Sequence, residues 1–439
     1  MAEGQIKVQC FKGESYVPVE GSKVTINPSN DNTRKDYFRI DLSTDSSGLT
    51  STVNLSAPPI EYSNEPSDNA PYSLYDIKVE RDGFEDTIVK EVQVFPEQIA
   101  FQKIYLKEKA EAPAVAQEIV VLPNTLFGDY PAKIPEDPEK PLPPPSSGVV
   151  LAKPVVPEFI TVHIGGPDQA GPNYRVPYKD YIKNVASSEI YSTWSTNTIR
   201  ANVFCIISFT LNRIYTEWYR GKGKTFDVTN STAYDHAFNY GRNIYDSISV
   251  IVDELFSTYV KRYGKKQPLL TQYCDGKNVQ CPQWLSQWGS KYLGDQGKTP
   301  YEILTYYYGT DLQLTTAEQV KGSPSSYPGY DLKRGSRGGP VRTIQEQLNR
   351  IAQNYPLIPK LAVDGIFGPK TEESVKVFQG IFTLPKTGVV DYATWYSISN
   401  IYVGVTRIAE LRADNIFYPV NDIDYRSKGE PYFRYPKDN

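Results

Sequence analysis

The first 108 residues alternate between apolar and polar positions with a period of two, which is the pattern of half-buried β-strands. Clear examples are the runs Ile6-Lys7-Val8-Gln9 and Lys23-Val24-Thr25-Ile26. Clusters of turn-forming residues, such as Asp45-Ser46-Ser47-Gly48, separate the apolar runs. The pattern predicts an all-β domain over residues 1–108, and it shows no catalytic set of side chains there.

The next stretch, residues 109–157, is rich in proline and has no regular hydrophobic period. Its run Pro143-Pro144-Pro145-Ser146-Ser147-Gly148 favours extended polyproline geometry and offers few backbone donors. We therefore predict an exposed linker that a protease can reach. Within it, the apolar run Ile119-Val120-Val121 predicts a short strand that docks on a neighbouring domain.

Residues 158–320 mix strand and helix signals, which indicates an α+β domain. The run Phe159-Ile160-Thr161-Val162-His163-Ile164 predicts a strand, and residues 180–188 predict a helix. Residues 196–219 predict a long helix, whose broad apolar stripe is typical of a buried helix. Two more helices are predicted near residues 245–263 and 300–308.

The last helical region covers residues 335–400 and follows a second linker, residues 321–334, that is rich in Gly, Ser and Pro. Asp364-Gly365 predicts a tight turn, and a further helix begins near Thr371. Residues 401–439 show no pattern that we can assign. Apolar residues at helical spacing mark the first helix of the region: Val341, Ile344, Leu348 and Ile351.

The composition of the 439-residue chain is that of a soluble globular protein with roughly two to four domains, since 39% of it is hydrophobic and 22% is charged. The formal net charge of −4 argues against nucleic acid, whose binding proteins usually carry a basic face. The 34 tyrosines and five tryptophans slightly favour a carbohydrate partner, because these rings stack on sugar faces. Residues 1–10 do not resemble a secretory signal, and we expect no membrane span.

The numbers of cysteines and histidines argue against several kinds of catalytic site. The chain has four cysteines and only two histidines, His163 and His236. Zinc sites and Cys or Ser nucleophiles usually need histidine, so we predict no metal and no cofactor. Cys274 and Cys281 are seven residues apart and can bridge a short loop.

Two of these regions resemble known domain families. Residues 1–108 resemble the small transthyretin-like β-sandwich, which would act as a spacer or a folding aid. Residues 335–400 resemble the three-helix peptidoglycan-binding module of many cell-wall enzymes, through Val363-Asp364-Gly365-Ile366-Phe367-Gly368 and Thr394-Trp395. The second resemblance implies that this region binds peptidoglycan.

The middle region is similar to the stage II sporulation protein D family. The similarity lies in the runs Val176-Pro177-Tyr178-Lys179-Asp180-Tyr181-Ile182, Val185-Ala186-Ser187-Ser188-Glu189 and Leu285-Ser286-Gln287-Trp288-Gly289. Members of that family are lytic transglycosylases of peptidoglycan. The resemblance therefore implies an α+β catalytic domain at residues 158–320, with Glu189 as its catalytic acid.

Several positions depart from the pattern of that family. Asn202 replaces a glutamine, Ile207-Ser208-Phe209 replaces an Arg-Thr-Tyr run, and Tyr191 replaces a proline. Relatives that bind zinc use one histidine and two cysteines, but no histidine lies in the loop before Cys274. These departures affect the substrate groove and not the acid.

A single carboxyl suits the implied reaction. Cleavage between N-acetylmuramic acid and N-acetylglucosamine needs a proton, which a carboxyl in an apolar niche can keep near neutral pH. Hydrolysing glycosidases usually use two carboxylates, whereas a lytic transglycosylase can use one. The residues predicted to contact the sugar or the carboxyl of Glu189 are Trp194, Tyr234, Ser286, Gln287, Trp288 and Gly289.

The order of the regions resembles that of the clostridial spore cortex-lytic enzymes. This resemblance implies a proenzyme that degrades cortex peptidoglycan during germination, after a subtilisin-like germination protease has removed its N-terminal part. Such a protein is made in the mother cell and reaches the cortex and coat region of the spore without a classical signal peptide. We predict the cut at Ser147, Gly148, Val149, Val150 or Leu151.

Two other classes of function stay open. One is a peptidoglycan amidase or peptidase, although the low histidine count argues against the common zinc forms. The other is a non-catalytic cortex-binding protein of the spore coat, in which residues 158–320 have become a scaffold. The altered residues at Asn202 and Ile207-Ser208-Phe209 keep this second class open.

Overall fold

The computed structural model of the protein describes residues 2–29, 38–110, 116–136 and 153–414, with the side chains of the last helix described as far as residue 406. The residues up to 136 are called the N-terminal part below, and the residues from 153 onward are called the C-terminal part. The predicted cleavage region, Ser147 to Leu151, lies outside the described residues.

Two sheets pack together in the N-terminal part, and the runs with a period of two form their strands. Alternate residues face the shared core, where Val24, Ile77 and Val89 are fully buried. One sheet has the order β3-β2-β5-β6-β8, and the other contains β4-β1-β7. The strands are β1 (Ala2–Lys12), β2 (Lys23–Pro28), β3 (Ile40–Ser43), β4 (Val53–Ala57), β5 (Ser73–Glu80), β6 (Thr87–Val94), β7 (Ile99–Leu106) and β8 (Gln117–Val120).

Segments from outside residues 1–108 complete both sheets. Strand β8 pairs in parallel with β6, and a later strand at residues 244–245 pairs antiparallel with β7. After β8 the chain stays inside the molecule, because Val121 and Asn124 are fully buried. The prediction of an exposed linker is therefore wrong for residues 121–128, which are all buried or half-buried, since the docked strand leads apolar side chains into the core.

The C-terminal part begins with a mixed region of short strands around a long buried helix. That helix starts where the Ser195 hydroxyl accepts a hydrogen bond from the Thr198 amide (3.3 Å). The strands are β9 (Val155–Val156), β10 (Phe159–His163), β11 (Asn173–Pro177), β12 (Val228–Thr229), β13 (Ile244–Tyr245), β14 (Thr258–Arg262), β15 (Tyr273–Cys274), β16 (Leu285–Ser286), β17 (Leu312–Thr316) and β18 (Gln319–Val320). The helices are α1 (Tyr178–Glu189), α2 (Thr196–Tyr215), α3 (Asp246–Leu255), α4 (Gln287–Asp295) and α5 (Pro300–Tyr308).

The helix predicted at residues 245–263 is only partly helical. Helix α3 ends at Leu255, and the chain continues as strand β14, which pairs antiparallel with β17. Aromatic and β-branched residues in this run fit a pleated surface better than a helix. The Ser208 hydroxyl on α2 also accepts a hydrogen bond from the Val260 amide (2.8 Å), which holds β14 on the buried helix.

Three further helices form the last region: α6 (Gly339–Ile351), α7 (Pro369–Ile381) and α8 (Tyr392–Asp414). Two buried glutamines, one in α6 and one in α7, make equivalent hydrogen bonds to a glycine amide. The Gln345 side chain accepts a hydrogen bond from the Gly365 amide, and the Gln379 side chain accepts one from the Gly388 amide, both at 2.8 Å. Both glycines have a φ of 73°, which other residues rarely adopt. Each glutamine therefore fixes the tight turn that follows its own helix.

Helix α8 continues beyond residue 400, where the sequence showed no pattern. Ile401 and Val405 are buried, so the helix continues because its inner face still has a packing surface. Part of that surface belongs to the N-terminal part, where the Tyr16 hydroxyl accepts a hydrogen bond from the Asn400 side chain (3.3 Å). The three-helix region thus packs on the rest of the protein.

A buried carboxylate connects helices α1 and α3. Asp253 on α3 accepts hydrogen bonds from Lys179 (2.9 Å) and Lys183 (2.7 Å), which lie on successive turns of α1. The Asp253 side chain is only 3% exposed. Burial alone would raise the pKa of Asp253, but the two lysines hold it below its ordinary value.

Replacement of this carboxylate should destabilise the fold. We expect Asp253→Asn to lower the free energy of unfolding by roughly 3–5 kcal/mol, because two largely buried ammonium groups lose their shared partner. Urea denaturation at neutral pH measures the change. Because the folded-state pKa of Asp253 is lowered, the stabilisation is present above the unfolded-state pKa and is lost as the pH falls through the folded-state value.

The matched control is the neighbouring Glu254→Gln. Glu254 forms its ion pair with Arg200 at the surface, so its loss should change the free energy by less than about 1 kcal/mol. Equal effects of the two substitutions would contradict the role assigned to Asp253.

Candidate active site

Glu189 is the last residue of helix α1, and it is only 3% exposed. The helix ends here because the next residue, Ile190, is extended, with φ −129° and ψ 159°. The last carbonyls of a helix have no partners within the helix, so a buried helix end needs donors from elsewhere in the structure.

The N-terminal part supplies several of these donors. The Asn124 side chain donates to the carbonyls of Ser187 (3.3 Å) and Ile190 (3.1 Å). The Thr125 amide donates to the Ser188 carbonyl (2.9 Å). The segment that follows β8 therefore caps the helix that carries the candidate acid.

Both oxygens of the Glu189 carboxyl accept hydrogen bonds. The Ala237 amide donates to Oε1 at 2.6 Å, and the Tyr273 hydroxyl donates to Oε2. Gln287, at the start of α4, donates from Nε2 to the backbone carbonyl of Glu189 (3.0 Å). These donors come from the loop after β12, from β15 and from α4, so three elements fix the position of one residue.

Burial raises the pKa of Glu189 to about 7, because the ionised carboxylate loses its hydration. The Lys133 ammonium, the Tyr273 hydroxyl and the Ala237 amide act in the opposite direction. Burial also lowers the pKa of Lys133 to about 8, while the charges of Glu189 and Asp235 oppose this shift. A carboxyl with a pKa near 7 is partly protonated at neutral pH, so it can act as an acid and then as a base.

A cavity of about 390 Å³ lies beside Glu189, within the usual size of a small-molecule site. One wall comes from the N-terminal part and consists of every residue from Thr125 to Lys133, together with Ser67 and Asp68. The opposite wall comes from the C-terminal part and consists of Thr232, Tyr273, Cys274, Asp275, Lys277, Asn278, Val279 and Gln287.

A disulfide closes the loop in the second wall. Cys274 and Cys281, whose Cα atoms are 5.7 Å apart, are bonded to each other. Within the loop, the Asp275 carboxylate accepts hydrogen bonds from the amides of Asn278 (2.9 Å) and Val279 (3.1 Å). The bridge and these bonds together restrict the movement of this wall.

Three of the predicted contact residues lie together at the start of helix α4. Gln287 lines the cavity with Glu189. The Ser286 hydroxyl accepts a hydrogen bond from the Gly289 amide (3.0 Å) and so caps α4. Gly289 packs against the Tyr307 hydroxyl, where a Cβ would clash. Ser286 and Gly289 therefore shape the turn that presents Gln287.

The structure does not bring the three predicted aromatic residues to the wall of this cavity. The buried Trp194 and the half-buried Trp288 pack on each other, with ring centroids 5.1 Å apart. The Trp194 indole donates to the Ser63 carbonyl of the N-terminal part (2.9 Å). Tyr234 lies outside the cavity wall, and its carbonyl accepts a hydrogen bond from Arg213 (3.1 Å). Trp194 therefore lies at the contact between the two parts of the chain.

Sequence reasoning missed Lys133, Tyr273 and the wall formed by residues 125–133. Tyr273 carried a usable signal, since it directly precedes Cys274 in the loop that the cysteine spacing marked. Lys133 carried no such signal, because it lies in a proline-rich stretch with no hydrophobic period, far along the chain from Glu189.

Behind the cavity lies a buried ion pair. Arg213 on α2 donates from Nε to Asp235 (2.7 Å), and their side chains are 1% and 0% exposed. The Tyr219 hydroxyl also donates to Asp235 (2.7 Å). Next to this pair, burial lowers the pKa of His236 well below its ordinary value, and the ring is hydrogen-bonded to the Tyr181 hydroxyl (2.9 Å). This histidine is therefore neutral at physiological pH.

The other reactive groups in the described ranges are few. Cys10 and Cys205 are free and buried, and burial raises the pKa of both thiols to about 12, so neither is a nucleophile at neutral pH. Among the residues that the structure describes, no three His, Cys, Asp or Glu side chains are grouped to bind a metal ion. Every helix in these ranges is too short or too polar to cross a membrane.

A comparison with known protein families identifies a domain in the last region. Residues 337–398 match the family of peptidoglycan binding domains. The chain carries a peptidoglycan-binding domain. This domain contains α6, α7, the beginning of α8 and both glutamine-fixed turns. The match identifies this domain and does not extend to the regions before residue 337.

The remaining comparisons do not identify the other regions. No curated protein matches the chain. Among solved structures, the Bacillus anthracis TIE protein is 17% identical over 25% of this chain and 17% of its own, with a TM-score of 0.17. The minor pilin GBS52 of Streptococcus agalactiae is 16% identical over 26% of this chain and 48% of its own, with a TM-score of 0.17. A mutant catechol 1,2 dioxygenase of Acinetobacter radioresistens is 15% identical over 27% of this chain and 57% of its own, with a TM-score of 0.18.

Lys133 should control the proton affinity of Glu189 in the intact chain. We expect Lys133→Met to raise the pKa of Glu189 above its value of about 7, because the nearby positive charge that favours the carboxylate is lost. Carboxyl-carbon NMR of the protein at a series of pH values measures the titration. Lys277→Met is the matched control, since Lys277 lines the same cavity but does not contribute to the shift of Glu189. An unchanged Glu189 titration in Lys133→Met would rule out this charge effect.

Proposed function

We propose that the protein is a lytic transglycosylase of peptidoglycan, with Glu189 as its acid and base. The observation that carries the proposal is a single carboxyl, Glu189, which donors of the C-terminal part hold in place beside a cavity of about 390 Å³. In the intact chain, burial raises the pKa of this carboxyl to about 7. The peptidoglycan-binding domain on the same chain supports peptidoglycan as the substrate.

One carboxyl is enough for this reaction. Protonated Glu189 gives its proton to the oxygen that links C1 of N-acetylmuramic acid to the next N-acetylglucosamine, and the C1–oxygen bond breaks. The carboxylate then takes the proton from the C6 hydroxyl of the same muramic residue, whose oxygen bonds to C1. The products are a 1,6-anhydromuramic end and a free C4 hydroxyl, and Glu189 is again protonated.

The neighbours of Glu189 support these two roles in different ways. The Ala237 amide and the Tyr273 hydroxyl hold the carboxyl oxygens in place, and both favour the ionised state that follows proton transfer. Lys133 also favours the ionised state, so its presence in the cavity wall opposes the acid role in the intact chain.

Other carboxylates near the cavity make hydrolysis the alternative that must be tested. Asp68, Asp129 and Asp275 all line it. Asp68 and Asp129 belong to the N-terminal part, and Asp275 already accepts two amide hydrogen bonds from its own loop. Hydrolysis would require one of them to activate a water molecule. The chemical form of the new glycan end therefore distinguishes the two reactions.

The covering of Glu189 by the N-terminal part supports a proenzyme. We propose that the substrate is cortex peptidoglycan and that the protein acts during germination in the cortex and coat region. In this proposal, a subtilisin-like germination protease cuts between Ser147 and Leu151 and so frees the wall formed by residues 125–133. Two resemblances support this proposal. The order of the regions resembles that of the clostridial spore cortex-lytic enzymes, and the runs around Glu189 resemble the stage II sporulation protein D family.

The test compares soluble fragments released from purified cortex sacculi. The parent, Glu189→Gln and Glu254→Gln proteins are each incubated intact and after limited subtilisin digestion, and mass spectrometry identifies the fragments. We expect 1,6-anhydromuramic ends from the digested parent and from the exposed control Glu254→Gln. Glu189→Gln should release at least about a hundredfold less, because an amide cannot exchange the proton.

Other released products would indicate other functions. Reducing ends would replace the proposal by hydrolysis and would make Asp275 the next residue to substitute. Free peptides would indicate an amidase or a peptidase. Cortex binding with no release by any of the proteins, intact or digested, would indicate a non-catalytic wall-binding protein of the spore coat.

A further inference from the structure

The segment that covers Glu189 continues to a second, separate set of contacts. Beyond Lys133, the Ile134 amide donates to the Ala233 carbonyl (2.7 Å). The Glu136 amide then donates to the Gln272 side chain (2.9 Å), and the Gln272 side chain donates back to the Glu136 carbonyl (2.7 Å). One side-chain amide thus binds both backbone polar groups of one residue, which is a way to hold an extended peptide.

The side chain of this bound residue is held as firmly as its backbone. Arg213 donates from Nη1 and Nη2 to the two carboxylate oxygens of Glu136, at 2.9 Å and 2.5 Å. This parallel pair of bonds is the preferred geometry between a guanidinium and a carboxylate. The Arg213 side chain is 1% exposed, whereas that of Glu136 is 20% exposed, so the carboxylate enters from the solvent side.

The binding group is held in position without help from Glu136. Arg213 is fixed from behind by Asp235, which also accepts hydrogen bonds from the Tyr219 hydroxyl and the Thr229 amide. Without the Glu136 carboxylate, Arg213 would still keep its bonds to Asp235 and to the Tyr234 carbonyl. A receptor that keeps its shape when empty loses little free energy on binding.

This receptor lies directly beside Glu189. Gln272 immediately precedes Tyr273, whose hydroxyl binds the Glu189 carboxyl. Asp235 is two residues before Ala237, whose amide binds the other carboxyl oxygen. Lys133, between the two sets of contacts, donates a hydrogen bond to the Asp235 carbonyl and is attracted to Glu189.

We propose that Arg213, Gln272 and Ala233 form a subsite for an acidic peptide, which Ile134 to Glu136 of the chain itself occupies in the intact protein. The occupant belongs to the N-terminal part and the receptor to the C-terminal part, so the two can separate once the chain between them is cut. The muramic residues of peptidoglycan carry short peptides with free carboxylates. The backbone of such a peptide would bind Gln272, and its carboxylate would bind Arg213.

The inference deepens the proposed function and rests on it for the identity of the ligand. With Glu189 at the glycosidic bond, the subsite would receive the peptide attached to the neighbouring muramic residue. The enzyme would then prefer glycan that carries peptides over glycan from which they have been removed. The bound segment would silence the intact chain because it occupies the place of that peptide.

The test uses the full chain, with the segment loosened by substitution. Glu136→Ala removes the carboxylate, and Glu136→Pro removes the carboxylate and the amide donor to Gln272. Calorimetry measures the binding of N-acetylmuramyl-L-alanyl-D-glutamate and of its diamide, which has no free carboxylate. Glu118→Ala is the matched control, because Glu118 lies earlier in the same segment and pairs with Lys90 at the surface.

We expect both Glu136 variants to bind the acidic ligand about tenfold or more tightly than the diamide, as charged hydrogen bonds to arginine predict. The parent and Glu118→Ala should not distinguish the two ligands, because their subsite is filled. Adding Gln272→Leu to Glu136→Ala should remove most of the binding while Arg213 and Asp235 stay paired. Equal binding of both ligands, or no binding of either, in both Glu136 variants would overturn the proposal.

The result is independent of the test for catalysis. Selective binding of the acidic ligand together with no glycan release from cortex by any protein would retain the subsite and reject the transglycosylase. Glycan release from cortex by the digested parent, without selective binding in the Glu136 variants, would retain the transglycosylase and reject the subsite.

Discussion

The buried end of helix α1 is the constraint on which the candidate site depends. A helix that ends inside a protein leaves carbonyl groups without water or helical partners. Here Asn124 and Thr125 satisfy the carbonyls of Ser187 and Ser188, and Gln287 satisfies the carbonyl of Glu189 itself. Because the caps come from opposite sides, they also bring the two walls of the cavity together. The same arrangement dehydrates the carboxyl and raises its pKa.

Local patterns were sufficient for much of the fold. The strands of the N-terminal part follow from alternation, and helices α2 and α6 follow from apolar spacing, because neighbouring residues dominate these choices. Glu189 was predicted through the resemblance of its run to a known family, and that run lies within one helix and its end.

The rest of the site depends on contacts between distant parts of the chain. Lys133 lies in a stretch whose prolines predicted a linker, although strand β8 anchors that stretch to a sheet. Trp194 was expected at a sugar but is buried against Ser63 of the N-terminal part. The run at residues 245–263 was ambiguous, because a short apolar segment with aromatic and β-branched residues fits either a helix or a strand.

The contact between the two parts of the chain also means that their separation would be difficult to reverse. Strand β13 extends the sheet of β7, and Phe95 packs against Tyr191 and Tyr245 with ring centroids 5.3 Å away. If the N-terminal part left, it would uncover an unpaired strand edge and a cluster of aromatic rings, both of which promote association with other surfaces. A released C-terminal part would tend to stay on the insoluble wall to which its own binding domain attaches it. Loss of the N-terminal part would then be irreversible, and the protein would be used once.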